Sequence, residues 1–340
     1  MKLTQFVAVS CYFSATLFAG VASAEIQADG NAFIAPLASK SLLLDIDHDS
    51  SMMVAVGERG HILTSMDGES WEQKAVPAQT LLTSVYLDGD KIWAVGHDAI
   101  ILSSKDKGES WEVKQFLPEL ERPLMDIHFK DEQNGIAIGS YGVFFRTEDA
   151  GETWTREYHT QFLHPDDQEY VESLKEEDPK FYQEEMASIL PHLNRVSFEN
   201  GRLYLAGETG LIAYSDDYGK QWKRADTGYY GSFFDIRLVE DGSVLAAGLR
   251  GSLYQSSPSM DDWKRIESNT TSTFNSILPI DKNQTLVLGN NGTMATLSNG
   301  KVEVEKTEDG KALVAGVMFQ DKVIAVTEVG IKALLAGEQK

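Results

Sequence analysis

Short apolar runs broken by glycine-bearing turns set the rhythm of this chain. In the first repeat, residues 41–46, 52–56, 61–64 and 71–76 are rich in Val, Ile, Leu and aromatic side chains, with Gly, Asp and Ser between them. Runs of this length with such boundaries predict strands. A tight turn joins the second and third runs, Val56-Gly57-Glu58-Arg59-Gly60-His61-Ile62-Leu63. Its counterparts begin at Gly96, Gly139, Gly207, Gly248 and Gly289, with a worn seventh at Thr327. From the first residue of each, the spacings are 39, 43, 68, 41, 41 and 38. A period near 40 with four short strands per unit marks propeller blades and not a helical repeat. The expected fold is all-β, a seven-bladed β-propeller.

A second phrase follows the third run: Ser65-Met66-Asp67-Gly68-Glu69-Ser70-Trp71, Ser104 to Trp111, Thr147 to Trp154 and Ser215 to Trp222. Each position has a mechanical reason. The carboxylates of Asp67, Asp106, Asp149 and Asp217 can accept backbone N–H groups across the turn. The glycines, Gly108, Gly151 and Gly219 among them, permit positive φ, and Trp71, Trp111, Trp154 and Trp222 bury a large ring. These residues are expected to be structural. The phrase decays later: Trp263 keeps its place without Asp or Gly, and Leu297-Ser298-Asn299-Gly300 keeps only a turn.

The 68-residue spacing exposes an insertion between blades 3 and 4, residues 158–192, which lacks strand alternation and predicts one or two short helices. Pro165 after His164 marks a helix start, and Pro179 and Pro191 bound the second stretch. Blade 7 shows strands near 312–319, 323–326 and 331–335 with no outer strand after them. Residues 32–38 are therefore expected to complete that blade as its outer strand and remove an exposed edge.

Residues 1–24 read as an export signal, with Lys2, an apolar run from Phe6 to Val21, and Ala22-Ser23-Ala24 before Glu25. Residues 25–340 form the propeller, which is expected to be periplasmic or secreted and monomeric on its own. No later stretch reaches membrane-spanning length. Cys11, the only cysteine, lies in the signal, so the mature chain has no thiol, disulfide or cysteine-held metal. The net charge is −22, or about −23 once Lys2 is removed, which argues against nucleic acid or an anionic lipid surface as a partner.

In a four-stranded blade, the turns between strands two and three share a face with the blade-to-blade links, opposite the Asp turns. That face carries Glu58, Arg59, His97, Asp98, Ser140, Tyr141, Glu208, Thr209, Leu249, Arg250, Asn290, Asn291 and Glu328 around the central opening, and it is the candidate binding surface. The insertion shares it and offers Phe162, Tyr170, Phe181 and Tyr182 as anchors for a protein partner. Asp45-Ile46-Asp47-His48-Asp49-Ser50 opens like a calcium loop. It has Ser50 where the sixth-position Gly belongs and Val56 where the twelfth-position Glu belongs, so it is read as a strand turn. His159, His164 and His192 lack the close spacing of a zinc site, and neither metal nor cofactor is expected.

The Ser/Thr-x-Asp-x-Gly-x-Ser/Thr-Trp phrases resemble the Asp-box, or bacterial neuraminidase repeat. Together with the Gly-x-x-Gly strand before each and the seven blades, the chain from about Phe33 onward resembles the photosystem II stability/assembly factor-like propellers. The resemblance implies a non-catalytic assembly or interaction scaffold for a membrane protein or envelope complex. In bacteria that do not photosynthesise, it implies an accessory to an exporter of the resistance-nodulation-division superfamily. The acidic composition departs from the basic surface patch of the photosynthetic members. Two alternatives stay open, because sialidases share the Asp-box: a glycoside hydrolase, for which Arg59, Arg250, Tyr141 and Glu208 lie on one face, and a sugar-binding propeller.

Overall fold

The computed structural model describes residues 26–239 and 242–334; the expected export signal and Cys11 fall outside them. Seven antiparallel sheets stand in chain order, six with four strands and the last with three among the described residues. Blade 1 comprises Leu43–His48, Met53–Gly57, Ile62–Ser65 and Glu72–Gln73. Its second strand is buried along its whole length, as are Gly135–Gly139 and Val244–Gly248. A strand covered on both faces by neighbouring blades has no wet side, so its sequence runs apolar without alternation.

The first strands line the axis: Leu43–His48, Leu82–Asp88, Leu124–Phe129, Leu193–Glu199, Phe233–Leu238, Phe274–Asp281 and Leu313–Phe319, each packed on the next and the last on the first. The core lies between blades, as one apolar cluster per seam. Trp71 packs in the 7/1 seam, Trp111 in 1/2, Trp154 in 2/3, Trp222 in 3/4 and Trp263 in 4/5.

The recurring turn is built as its residues require. Asp67 Oδ1 accepts the N–H groups of Glu69 at 2.8 Å and Ser70 at 2.7 Å, and Ser65 Oγ accepts that of Gly68. Asp106, Asp149 and Asp217 repeat the pattern on Ser110, Thr153 and Gln221. The indole N–H groups of Trp71, Trp111 and Trp154 donate to the carbonyls of Gly68, Gly108 and Gly151. In the other turn the two glycines do different work. A Cβ on Gly57 would stand 2.2 Å from the Leu42 carbonyl oxygen, and Gly60 sits at φ +70° with a Cβ position 2.1 Å from the Ala78 carbonyl.

The expected outer strand from residues 32–38 does not form. Ala32 donates its N–H to Val76 O at 2.8 Å, Phe33 O accepts from Gln73, and a 3-10 turn at Ala38–Lys40 then packs on Gly330–Leu334. The segment is a strap across the 7/1 seam. Pro36 lies in its middle with no N–H to give a strand ladder, which breaks the pairing that the sequence reading assumed.

The insertion folds as two helices, α1 (Pro165–Glu177) and α2 (Pro179–Met186). His164 caps α1 by accepting from Asp166 N, and Asp178 caps α2 by accepting from Phe181 N. Val171, Met186 and Leu190 sink into the 3/4 seam beside Phe162 and Trp222. Phe162 is fully buried and Tyr182 is packed against the same cluster, so these two are roots of the insertion and not exposed anchors. Tyr170 and Phe181 remain 42% and 43% exposed.

Candidate functional site

The third residue of each Gly-x-x-Gly turn is forced into the left-handed region: Arg59 (φ 56°), Asp98 (57°), Tyr141 (49°), Thr209 (53°), Arg250 (54°) and Asn291 (57°). Such a conformation costs a side chain about 1 kcal/mol and aims it off the face. Arg59, Tyr141, Thr209, Arg250 and Asn291 are accordingly exposed, while Ser140, one position earlier, is buried. Arg59, His97, Asp98, Arg250, Asn290 and Asn291 stand one or two to a blade. The Asn290 side chain accepts from Asn275 of its own blade, and Asp98 accepts from Thr80.

Blade 3 is where groups converge. The Arg122 guanidinium carbon lies 4.6 Å from the Tyr141 ring centroid, and Tyr141 meets His192 edge-on at 4.5 Å. His192 Nδ1 lies 3.5 Å from Glu208 Oε1, and Glu208 Oε2 accepts the His192 N–H. Arg156 covers the Tyr158 ring at 4.8 Å. Burial first, and then the charge of Arg156, lowers the Arg122 pKa. Two cations held together without a carboxylate are unusual on so acidic a chain. Arg122 Nη1 and Arg156 Nε are buried atoms with no acceptor among the described residues. The insertion is anchored alongside: Gly142 donates to Pro191 O and lies against Leu190.

The histidines take separate places. His159 is buried against Glu157 and the Phe144 ring, His164 caps a helix, and His192 stacks on Tyr141. No group of three metal-ligating side chains gathers among the described residues.

The axis holds what the sequence reading missed. Asp45 and Asp47 belong to the first strand of blade 1, and only Asp49 makes the turn, accepting from Ser51 and Met52. The reading of that acidic stretch as a turn is corrected by two to four residues. After a bulge near the start of each inner strand, one register position faces the centre: Asp45, Ser84, Asp126, Arg195, Asp235, Ser276 and Ala315. Blades 1, 3 and 5 supply carboxylates that accept the N–H of Val85, Val196 and Ile277 on the following blade, at 3.1, 2.8 and 2.7 Å. Arg195 Nη1 lies 3.3 Å from both Asp45 and Asp126, and Arg237 pairs with Asp235. Burial above all raises the Asp126 pKa. The channel mouth, about 230 Å³, is lined by Asp47, Tyr86, His128, Ser197 and Arg237. Burial raises Asp47 to about 6 and lowers His128 to about 4. A signal was present in the sequence, because each axial residue precedes its Gly-x-x-Gly turn by twelve or thirteen positions.

Fold and faces together define a seven-bladed propeller with a charge-paired axis and a cationic-aromatic surface on blade 3. The family model described as Photosynthesis system II assembly factor YCF48 matches residues 33–120 and 114–229, and the chain belongs to that family. Among curated relatives, the chloroplastic photosystem II stability/assembly factor HCF136 of Oryza sativa subsp. japonica is 28% identical over 129 residues, 35% of this chain and 31% of the relative. Its counterpart in Arabidopsis thaliana is 26% identical over 102 residues, 29% of this chain and 25% of the relative. The matched segments thus span a third or less of those relatives. The solved structure of YCF48 bound to D1 peptide superposes with a TM-score of 0.67 at 15% identity, covering 92% of this chain and 99% of that one. The WD40 propeller domain of Doa1 gives 0.64 at 15% identity, covering 91% and 98%. At such identities these structures show a shared fold.

Proposed function

We propose that this protein is an exported, non-catalytic interaction scaffold that assists assembly of a membrane protein complex. It docks an extended, carboxylate-bearing segment of its partner on the blade 3 face, with the insertion beside it. The observation that carries this reading is the pair Arg122 and Arg156, two half-buried guanidinium groups backed by the Tyr141 and Tyr158 rings and paired with no carboxylate among the described residues. A planar guanidinium so held offers fork-shaped recognition to a carboxylate. Family membership and the peptide-bound relative support a protein partner.

For a member with this acidic composition, the favoured partner class is an envelope exporter of the resistance-nodulation-division type. The test is an affinity capture from envelope extract using the wild type, the double variant Arg122→Ala/Arg156→Ala, and Tyr170→Ala/Phe181→Ala. Loss of the same membrane protein with the arginine variant supports the reading, and unchanged recovery removes that face from it. Deleting the whole insertion would be uninformative, because it would strip the 3/4 seam of Phe162, Val171 and Leu190.

The glycosidase alternative predicts turnover of a fluorogenic sialoside that is lost in Tyr141→Phe. Tyr141 is engaged by Arg122 and His192, while Arg59 and Arg250 stand on blades 1 and 5, an arrangement that favours the scaffold.

A further inference from the structure

Among the described residues, five of the seven seams are filled by an indole from the following blade, and two are not. In the 6/7 seam the buried Leu334 joins the apolar cluster. In the 5/6 seam no indole stands among the described residues, and only the smaller Val302 and Val304 of blade 6's outer strand pack against the cluster. Blade 6 turns through Asn299 (φ 50°) and Gly300 (φ 73°), so that Ser298 pairs directly with Lys301 and no tryptophan-bearing loop is made. Two consecutive left-handed residues give the tightest hairpin available, which leaves no chain to reach back over blade 5.

What remains is a cavity of about 370 Å³ opening on the Asp-turn face, with Leu245 and Ile266 on one wall and Leu297 and Val302 on the other. Its margin is polar and partly charged, with Gln255, Asp281, Lys282, Asn283 and Lys301. The geometry points to a binding site for a flat aromatic ring, an indole or its close equivalent, inserted between blades 5 and 6. The other seams serve as the template. There the same interblade space seats an indole against apolar side chains. The site is remote from the blade 3 face and stands independently of the function proposed for it.

The ring can arrive as a free small molecule or as the tryptophan side chain of a partner, and the two are separated with indole and N-acetyl-tryptophanamide as probes. Methyl-labelled full-length protein is titrated with each, and the signals of Leu245, Ile266 and Val302 are followed by NMR. Saturable shifts are expected with a Kd of about 1 mM or tighter, the strength that a fragment of this size reaches. Val302→Trp, which fills the cavity from within, should weaken binding by more than about tenfold with an unchanged circular dichroism spectrum. Leu297→Phe serves the same purpose if that variant does not fold. Comparable binding of N-acetyl-tryptophanamide assigns the site to a protein side chain, and binding of indole alone assigns it to a free aromatic. No saturable shift with either probe, or shifts that persist in a folded, filled variant, would overturn the inference.

Discussion

Arg195 on blade 4 reaches across the axis to place Nη1 3.3 Å from Oδ2 of Asp45 on blade 1, 150 residues away in sequence. The same nitrogen lies 3.3 Å from Asp126 on blade 3. One largely enclosed cation thus ties three blades that share no strand. Removing it leaves buried carboxylates without compensation, which costs about 3–5 kcal/mol. Arg195→Met should lower the urea-unfolding free energy by that order at pH 7. The loss should shrink toward pH 4, where the raised pKa of Asp126 lets its carboxyl take a proton. A variant as stable as the wild type would show that the axis contributes nothing net.

Asp47 and His128 pull in opposite directions as pH changes. Asp47 titrates near 6 in the folded protein against about 3.8 when unfolded, so the folded state holds the extra proton. Its contribution is fully present below about pH 4 and is lost as pH rises through 6. His128, held neutral down to about 4 against an ordinary 6.5, contributes stability above 6.5 that is lost on acidification toward 4. Asp47→Asn should therefore gain up to about 2 kcal/mol at pH 7 and little at pH 4. Freed of the opposing term, it should lose stability more steeply than the wild type between pH 6.5 and 4. Parallel denaturation curves for the two proteins across that range would contradict the assignment.

Trp111 is 8% exposed and fills the 1/2 seam with its N–H bonded, whereas Trp263 is half-buried and its N–H meets no partner among the described residues. Trp111→Ala should cost about 3–5 kcal/mol. Trp263→Ala should cost clearly less. Thermal unfolding of the two variants compares them directly.

Tyr141 separates binding from stability. Its φ of 49° is strained for a side chain, so Tyr141→Gly should hold or raise stability by up to about 1 kcal/mol. It also takes the ring away from Arg122 and His192, and partner recovery should fall although the melting temperature does not.

The blade count, the insertion and the Asp turns were legible because each leaves a local signature: a glycine pair, a proline start, a carboxylate followed at fixed distance by a tryptophan. Phe162 was misread because an aromatic residue in an acidic stretch looks the same whether it faces a partner or the 3/4 seam. Arg122 and Arg156 went unnoticed because what distinguishes them is a missing carboxylate, which only the spatial arrangement reveals. Asp45 and Asp126 were masked in the same way. A polar residue in a strand otherwise read as apolar looks like a turn until the bulge shows it facing the centre.

The joint between blades 7 and 1 governs when this molecule becomes a ring. No strand is shared across it among the described residues, so closure waits for the strand at Leu313–Phe319 to meet Leu43–His48, a contact spanning nearly the whole chain. Contacts of that separation form late, because the entropy of closing so long a loop is lost before anything is gained. Six blades can stack from the first onward, with the outer face of blade 1 still wet. The strap at residues 32–40 and the Glu69–Lys322 pair then act as a latch, and amide exchange should find this joint opening before any other.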